Sequence, residues 1–353
     1  MKISGKTATA RTAAAPKVKT VNLALQGGGS HGAFAWGVLD RLIEDGRLAF
    51  EGISATSAGA MNAAVLAWGW THGGRDGARQ ALADFWQAIS EAGMRHSPYR
   101  GAPWASQMGI YSLDHSPAYQ FMEMCTRLFS PYQLNPQNFN PLRQILETHV
   151  DFDALRRHSA IKLFLAATNV ETCKVRIFEC ADLTPDAVLA SACLPFMFQA
   201  VEIEGEFYWD GGYLGNPAIY PLIYNCDSRD VVIVHLNPIV RRGCPQTAAA
   251  ILNRLNEVSF NSSLMREMRA IAFVSSLIER GKLSSDEFKL MLIHSIRADE
   301  EMVHHDVSSK LNPDWRFLTH LRDQGRAHAE DWLDRHFARI GRESTVDVRA
   351  EFL

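Results

Sequence analysis

The chain has 353 residues, with 36 Lys+Arg against 39 Asp+Glu, a net charge of −3 with histidine neutral. Apolar residues make up 47% and charged residues 21%, the balance of a folded globular protein, which excludes collagen-like, disordered and coiled-coil accounts of the whole chain. The slight acidic excess argues against nucleic acid as a partner, because phosphate binding usually leaves a basic one. Residues 1–19 carry Lys2, Lys6, Arg11, Lys17 and Lys19, no acid and no apolar stretch of the secretory kind. They read as a solvated basic tail, with contact to anionic lipid as the sharper alternative. Residues 21–25 form an apolar run that ends in Gln26-Gly27-Gly28-Gly29, a buried strand entering a glycine turn. Phe34, Val38 and Leu42 recur at helical spacing over residues 33–43, with Gly46 as the stop. A second strand over 53–56 and a helix over 58–68 repeat the alternation that builds a parallel sheet with helical crossovers. The apolar stretch 58–70 is broken by Asn62 and too short to span a bilayer.

A further amphipathic helix is expected over 78–92, after which the pattern weakens between 93 and 140 around one helix near 118–129. That irregular stretch suits a lid or a substrate-binding flap. Strands follow at 161–167 and 175–178, then a hairpin over 201–209 turning at Glu204-Gly205, then an apolar strand over 231–236. Beyond Pro245 the sequence reads as mostly helical, apart from a late strand within 288–296, and 315–340 closes it as a helix. The six cysteines (Cys125, Cys173, Cys180, Cys193, Cys226, Cys244) are scattered without a C-x-x-C pair, so most are expected to be buried thiols of a reducing compartment.

Three segments carry chemistry. Gly27-Gly28-Gly29-Ser30-His31-Gly32 lies between a strand and a helix and satisfies G-x-G-x-x-G. A nicotinamide site also wants an acid at the end of the next strand, and here that strand runs into Ser57. The glycines otherwise suit a nest of backbone N–H groups that stabilises an oxyanion, or simply a tight turn with close helix packing. Ala55-Thr56-Ser57-Ala58-Gly59 resembles the G-x-S-x-G nucleophile elbow, with Ala55 for the first glycine and Gly59 as the last. Its alternative is a buried serine capping a helix. Trp209-Asp210-Gly211-Gly212 follows the hairpin and reads either as a turn or as a general base with glycines that allow close approach.

Together, in this order, the three segments resemble the patatin-like phospholipases, and Ser191-Ala192-Cys193-Leu194-Pro195 adds to the likeness. The resemblance covers residues 20–240 as the catalytic domain, with 241–353 as a mostly helical extension. It implies a three-layer α/β/α sandwich around a central, mainly parallel sheet. It also implies a serine lipid acyl hydrolase that works without a catalytic histidine, cofactor or metal. Carried over by position, Ser57 is the nucleophile and Asp210 the base; Gly27, Gly28, Gly29 and Gly32 form the oxyanion loop, chiefly through the N–H groups of Gly28 and Gly29. Gly59, Gly211 and Gly212 support the motifs.

Two positions depart from the family pattern. His31 stands where Arg or Lys is usual, so substrate steering there becomes pH dependent. Ala55 matters only if its φ must be positive. A Ser-His-Asp triad through His235 or His294 is the rival enzyme, and the adjacent His304-His305 is a weak metal signal. A silent acyl-lipid-binding protein and an acyltransferase or thioesterase using the same serine are the other readings. Trp104, Met108, Tyr111, Phe121, Met122 and Phe129 are candidates for an acyl-chain pocket, and Trp332, Leu333 and Phe337 fit core packing. The expected partner is a lipid or acyl ester, reached from the cytoplasm or at the periphery of a membrane.

Overall fold

The computed structural model describes residues 18–99, 101, 104–284 and 287–353. The basic tail, except Lys19, falls among residues 1–17, outside the described residues. Lys19 opens strand β1 (Lys19–Leu25), which leads through a 3-10 turn (Gly29–His31) into α1 (Gly32–Asp45). Gly46 ends α1 in the left-handed region at φ 78°, as a helix-stop glycine does. Strand β2 (Leu48–Ala55) then runs into α2 (Ala58–His96), which is broken at Gly73-Gly74 and so forms the two helices the sequence predicts.

The region read as irregular holds the expected helix, α3 (Pro117–Leu128), and a short second one, α4 (Pro131–Leu134); α5 (Pro141–His149) and α6 (Phe152–His158) follow it. Each has Pro or Phe at its first position behind a Ser, Asn or Asp cap, a start signal that composition alone obscured. Strands β3 (Lys162–Asn169) and β4 (Val175–Glu179), helix α7 (Pro185–Ser191), and the hairpin β5 (Val201–Ile203) and β6 (Glu206–Asp210) follow. Helix α8 (Tyr220–Asn225), strand β7 (Asp230–Val234) and the long α9 (Ala248–Glu279) come next. Strand β8 (Leu292–Ile296), α10 (Asp299–Met302), α11 (Trp315–His336) and α12 (Val348–Phe352) complete the order.

Five strands are parallel neighbours in the order β3–β2–β1–β7–β8. The remaining three are antiparallel and make the sheet mixed. β4 runs along one edge of β3, from Phe164 to Thr168. The other edge is shared end to end: β2 occupies Lys162 to Leu165, and β6 takes over at Ala167 to Asn169. Side chains alternate between faces along the strands. Leu23, Leu25, Val232 and Val234 point into the core formed with α1, α2 and α11, while Ala24, Val231 and Ile233 face α8, α9 and α12. The result is the expected three-layer α/β/α sandwich.

The residues after 240 do not fold away from this body. β8 extends the sheet beside β7, and α11 lies against α1 in the main core. Trp332 and Leu333 are buried there. A Cβ on Gly37 would fall 1.9 Å from the Arg322 carbonyl oxygen, and one on Gly325 would fall 2.1 Å from that of Phe34, so α1 and α11 touch backbone to backbone. Gly37→Ala should therefore cost about 3 kcal/mol or more by forcing the helices apart. Gly73→Ala, with nothing within 4 Å of its Cβ, should change urea-unfolding stability far less. Equal losses in the two variants would argue against this close crossing.

The cysteines are all free thiols, and only Cys193 and Cys226 are buried, fewer than expected. Among the described residues no helix is long and apolar enough to cross a membrane.

Candidate active site

Strand β2 stops at Ala55, and the chain turns sharply through Thr56 and Ser57 into α2. Ser57 has φ 57° and ψ −124°, a conformation L-residues rarely adopt, which costs about 1–3 kcal/mol. Local bonds hold it there. Its N–H donates to Ser191 Oγ at 2.9 Å, the Thr56 hydroxyl donates to the Gly215 carbonyl at 2.6 Å, and the Gly59 N–H donates to the Thr56 carbonyl at 2.9 Å. Gly59 sits where a Cβ would meet the Leu25 and Gln26 carbonyl oxygens at 2.6 and 2.8 Å. The positive φ falls on Ser57 and not on Ala55, so alanine at that position carries no strain. Ser57 occupies the N-cap of α2, yet its side chain makes no capping bond. The hydroxyl is thereby left available at a helix N-terminus.

The shared edge of β3 brings Asp210 to this serine. Ala55 pairs with Leu165, and Asp210 pairs with Ala167, two residues farther along the same edge. Two residues of a strand span roughly 7 Å, so the end of β6 meets the turn that follows β2. Asp210 is fully buried. Its Oδ1 accepts the Gly212 N–H at 2.7 Å, while Oδ2 is enclosed without a hydrogen bond. Burial pushes this carboxyl up to about 6, and the Gly212 N–H, the Ser57 hydroxyl and the Lys310 ammonium pull against that rise. The Ser57 hydroxyl thus acts on the carboxylate, although Oδ2 makes no hydrogen bond of ordinary geometry. Asp-Gly-Gly is not a hairpin turn here. It leads from β6 into a 3-10 turn, Gly211–Tyr213, with Gly211 pressed against the Ala166 carbonyl oxygen.

Gly27 lies directly against Ser57, since its Cβ would sit 2.6 Å from that of the serine. The four glycines of the loop do not present equivalent donors. The Gly27 N–H is committed to Asn216 Oδ1 at 2.7 Å, and the Gly32 N–H is turned onto the carbonyls of Gly29 and Ser30. Among the described residues, the N–H groups of Gly28 and Gly29 have no protein acceptor. Gly29, at φ 58°, is exposed.

His31 is buried and shares a 2.8 Å hydrogen bond with Ser309. Burial holds it well below its ordinary pKa, and Lys310 and His305 add to the effect, so a charged His31 that steers substrate has no footing in this geometry. Neither rival histidine meets Ser57. His294 bonds Asp230 at 2.9 Å and Thr345 at 3.2 Å, and His235 stacks on Phe352. Among the described residues no three His, Cys, Asp or Glu side chains are placed to hold a metal. Trp104, Met108, Phe121 and Phe129 are exposed and Tyr111 stacks on Phe317, so these residues do not enclose an acyl-chain pocket.

A buried amide network behind the loop escaped the sequence reading. Gln26 Oε1 accepts the backbone N–H groups of Leu236 and Asn237 at 2.9 and 3.0 Å. Asn237 Nδ2 donates to the Gly27 carbonyl at 3.0 Å, and Gln26 Nε2 donates to Asn261 Oδ1 at 3.1 Å. One signal was present: Gln26 and Asn237 are polar residues placed right after apolar strands, at the carboxyl edge where α/β sheets build sites.

The model for patatin-like phospholipase matches residues 23–223, more than half of the chain and every motif described above. The chain belongs to that family. Among solved structures, this patatin-like chain is similar to VipD from Legionella pneumophila, at 16% identity and a TM-score of 0.43, over 90% of this chain and 67% of that one. It is also similar to the ExoU–SpcU complex from the type III secretion system of Pseudomonas aeruginosa, at 16% identity and a TM-score of 0.34, over 90% of this chain and 52% of that one. No curated protein matches it.

Proposed function

We propose that this patatin-like protein is a serine lipid acyl hydrolase with Ser57 as nucleophile and Asp210 as its general base. The observation that carries the reading is the uncapped Ser57 hydroxyl, held at positive φ on a helix N-terminus, facing the buried and half-unbonded carboxylate of Asp210. In the first step Asp210 takes the hydroxyl proton while Oγ attacks the ester carbonyl. Charge developing on the carbonyl oxygen is met by the Gly28 and Gly29 N–H groups and the positive end of α2. Collapse expels the alcohol, which leaves with the proton from Asp210. Water activated by the same carboxylate then hydrolyses the acyl-serine.

Exposed apolar side chains on three helices suit a lipid as substrate. Phe121, Met124 and Leu128 of α3, Tyr132 of α4, and Ile251, Leu252, Leu255 and Val258 of α9 are all exposed. Such faces suit peripheral contact with a lipid aggregate.

Because Asp210 accepts a proton only when ionised, kcat/KM on a neutral ester should rise with pH through about 6 and level off above it. A rate that is flat from about one pH unit below that midpoint to about two above it would exclude Asp210 as the base. The decisive experiment is labelling with a fluorophosphonate, with the adduct located by peptide mass, alongside hydrolysis of phospholipid vesicles and of a short p-nitrophenyl ester. The expected adduct is on Ser57. Binding of acyl lipid with neither labelling nor turnover would overturn the reading in favour of a silent lipid-binding protein.

A further inference from the structure

The glycine loop carries no usable cation of its own, since His31 is buried and held neutral. A cation nevertheless stands behind it. Lys310 lies in the 3-10 turn Ser308–Leu311, near the far end of the sequence. Its backbone abuts the loop: a Cβ on Gly29 would fall 2.3 Å from the Lys310 carbonyl oxygen. The residue is half-buried, and its ammonium is held between two side-chain amides and an aromatic ring. Nζ donates to Asn237 Oδ1 at 2.8 Å and to Asn256 Oδ1 at 2.7 Å, and it stands 5.4 Å from the centre of the Phe260 ring. Both contacts lead to the reacting groups. Asn237 passes its own hydrogen bond to the Gly27 carbonyl, next to Ser57. The Phe260 ring lies against Gly212, whose N–H binds Asp210.

We propose that Lys310 is a positioning residue of the Ser57–Asp210 pair: it sets the glycine loop against Ser57 through Asn237 and its own backbone, and it holds a positive charge behind Asp210 across the Phe260 ring. The C-terminal third of the chain thereby supplies part of the active site.

A buried lysine with only amide partners would be costly without a compensating negative charge. Two carboxylates provide it, Glu257 of α9 and Asp210 itself, which hold the ammonium up while burial pulls it down to about 8. Glu257 is not given over to Lys310, because Arg241 and Arg254 bind it. The remaining titratable neighbours are His31 and His305 on the lysine side and Cys193 and Tyr213 on the aspartate side, and all four are disfavoured in their charged forms. Lys310 is thus a cation whose charge pulls the Asp210 carboxyl down against its burial.

The inference rests on the dyad reading above, and its test is chosen so that the two can fail separately. Lys310→Gln removes the charge and keeps a donor for Asn237 and Asn256; Lys310→Arg keeps the charge. The Asp210 carboxyl is followed by 13C NMR in aspartate-labelled protein, its signal identified by its loss in Asp210→Asn. Lys310→Gln should raise the Asp210 midpoint by about one pH unit, and Lys310→Arg should leave it in place. The acid limb of kcat/KM should move by the same amount, whereas a merely structural lysine would lower kcat without moving it. If Lys310→Gln melts below the assay temperature, Lys310→Met removes the same charge without stranding a polar group and carries the same expectation. An unmoved midpoint in a folded neutral variant overturns the proposal, even if the wild type hydrolyses esters. A midpoint shifted by Lys310→Gln, in a protein whose wild type shows no turnover, upholds the coupling and sinks the hydrolase reading alone.

Discussion

Ser57→Ala is expected to lower ester turnover by at least about four orders of magnitude with no loss of fold. The substitution removes the one atom that forms the acyl bond, and nothing in the scaffold depends on that atom. The hydroxyl makes no cap to α2, and the bonds that hold the turn use the Ser57 backbone, Ser191 and Thr56. Alanine at φ 57° pays the same backbone strain as serine, so the melting temperature should barely move. Fluorophosphonate labelling should vanish together with turnover. Retention of more than about a tenth of the activity would place the nucleophile elsewhere.

Asp210→Asn should reduce turnover by about three to four orders of magnitude and, unlike most active-site changes, make the protein more stable. The Asp210 carboxyl sits near 6 in the folded state, above its unfolded value of 3.8. The folded protein therefore binds this proton more tightly than the unfolded chain does. Stability from this group is present at low pH and is lost as pH rises from about 4 to about 6, so at neutral pH burying the carboxylate costs about 3 kcal/mol. Asparagine fits the same cavity: its Oδ1 can accept the Gly212 N–H, and its Nδ2 can donate to Ser57. Urea unfolding at pH 5 and pH 8, bracketing the midpoint by about one unit or more, should show a gain for the variant that grows with pH. A loss of activity accompanied by a loss of stability would point to a packing role for Asp210.

Much of the frame was legible because its punctuation is local. Gly46 stops α1 where predicted, Glu204-Gly205 turns the hairpin with positive φ at both residues, and Gly73-Gly74 breaks α2 between two expected helices. The serine and the aspartate were legible for a related reason, since each stands in a short motif of small residues that the close approach of backbones requires. What joins them was not legible. That β2 and β6 share one edge of β3 depends on pairing between segments about 150 residues apart, and no periodicity encodes it. Lys310 and Asn256 look like ordinary surface residues of a helical region; only the fold turns them inward. The sequence points to Gly28 and Gly29 as the donors, but not to why Gly27 is spoken for: Asn216, in a different segment, accepts its N–H.

The crossing of α1 and α11 at Gly37 and Gly325 also bears on how the chain comes to be made. A nascent polypeptide that has emerged as far as β7 already holds Ser57 and Asp210, but the face of α1 meant for α11 is still uncovered, and β7 has no partner on its outer edge. The carbonyls that bind the Lys19 ammonium, at Phe337, Ala338 and Ile340, are synthesised later still. Contacts of such long sequence separation form late. The cover of α1, the outer partner of β7 and the carbonyls that anchor Lys19 all come from segments made after β7, so the body around Ser57 and Asp210 closes only once those later segments have emerged.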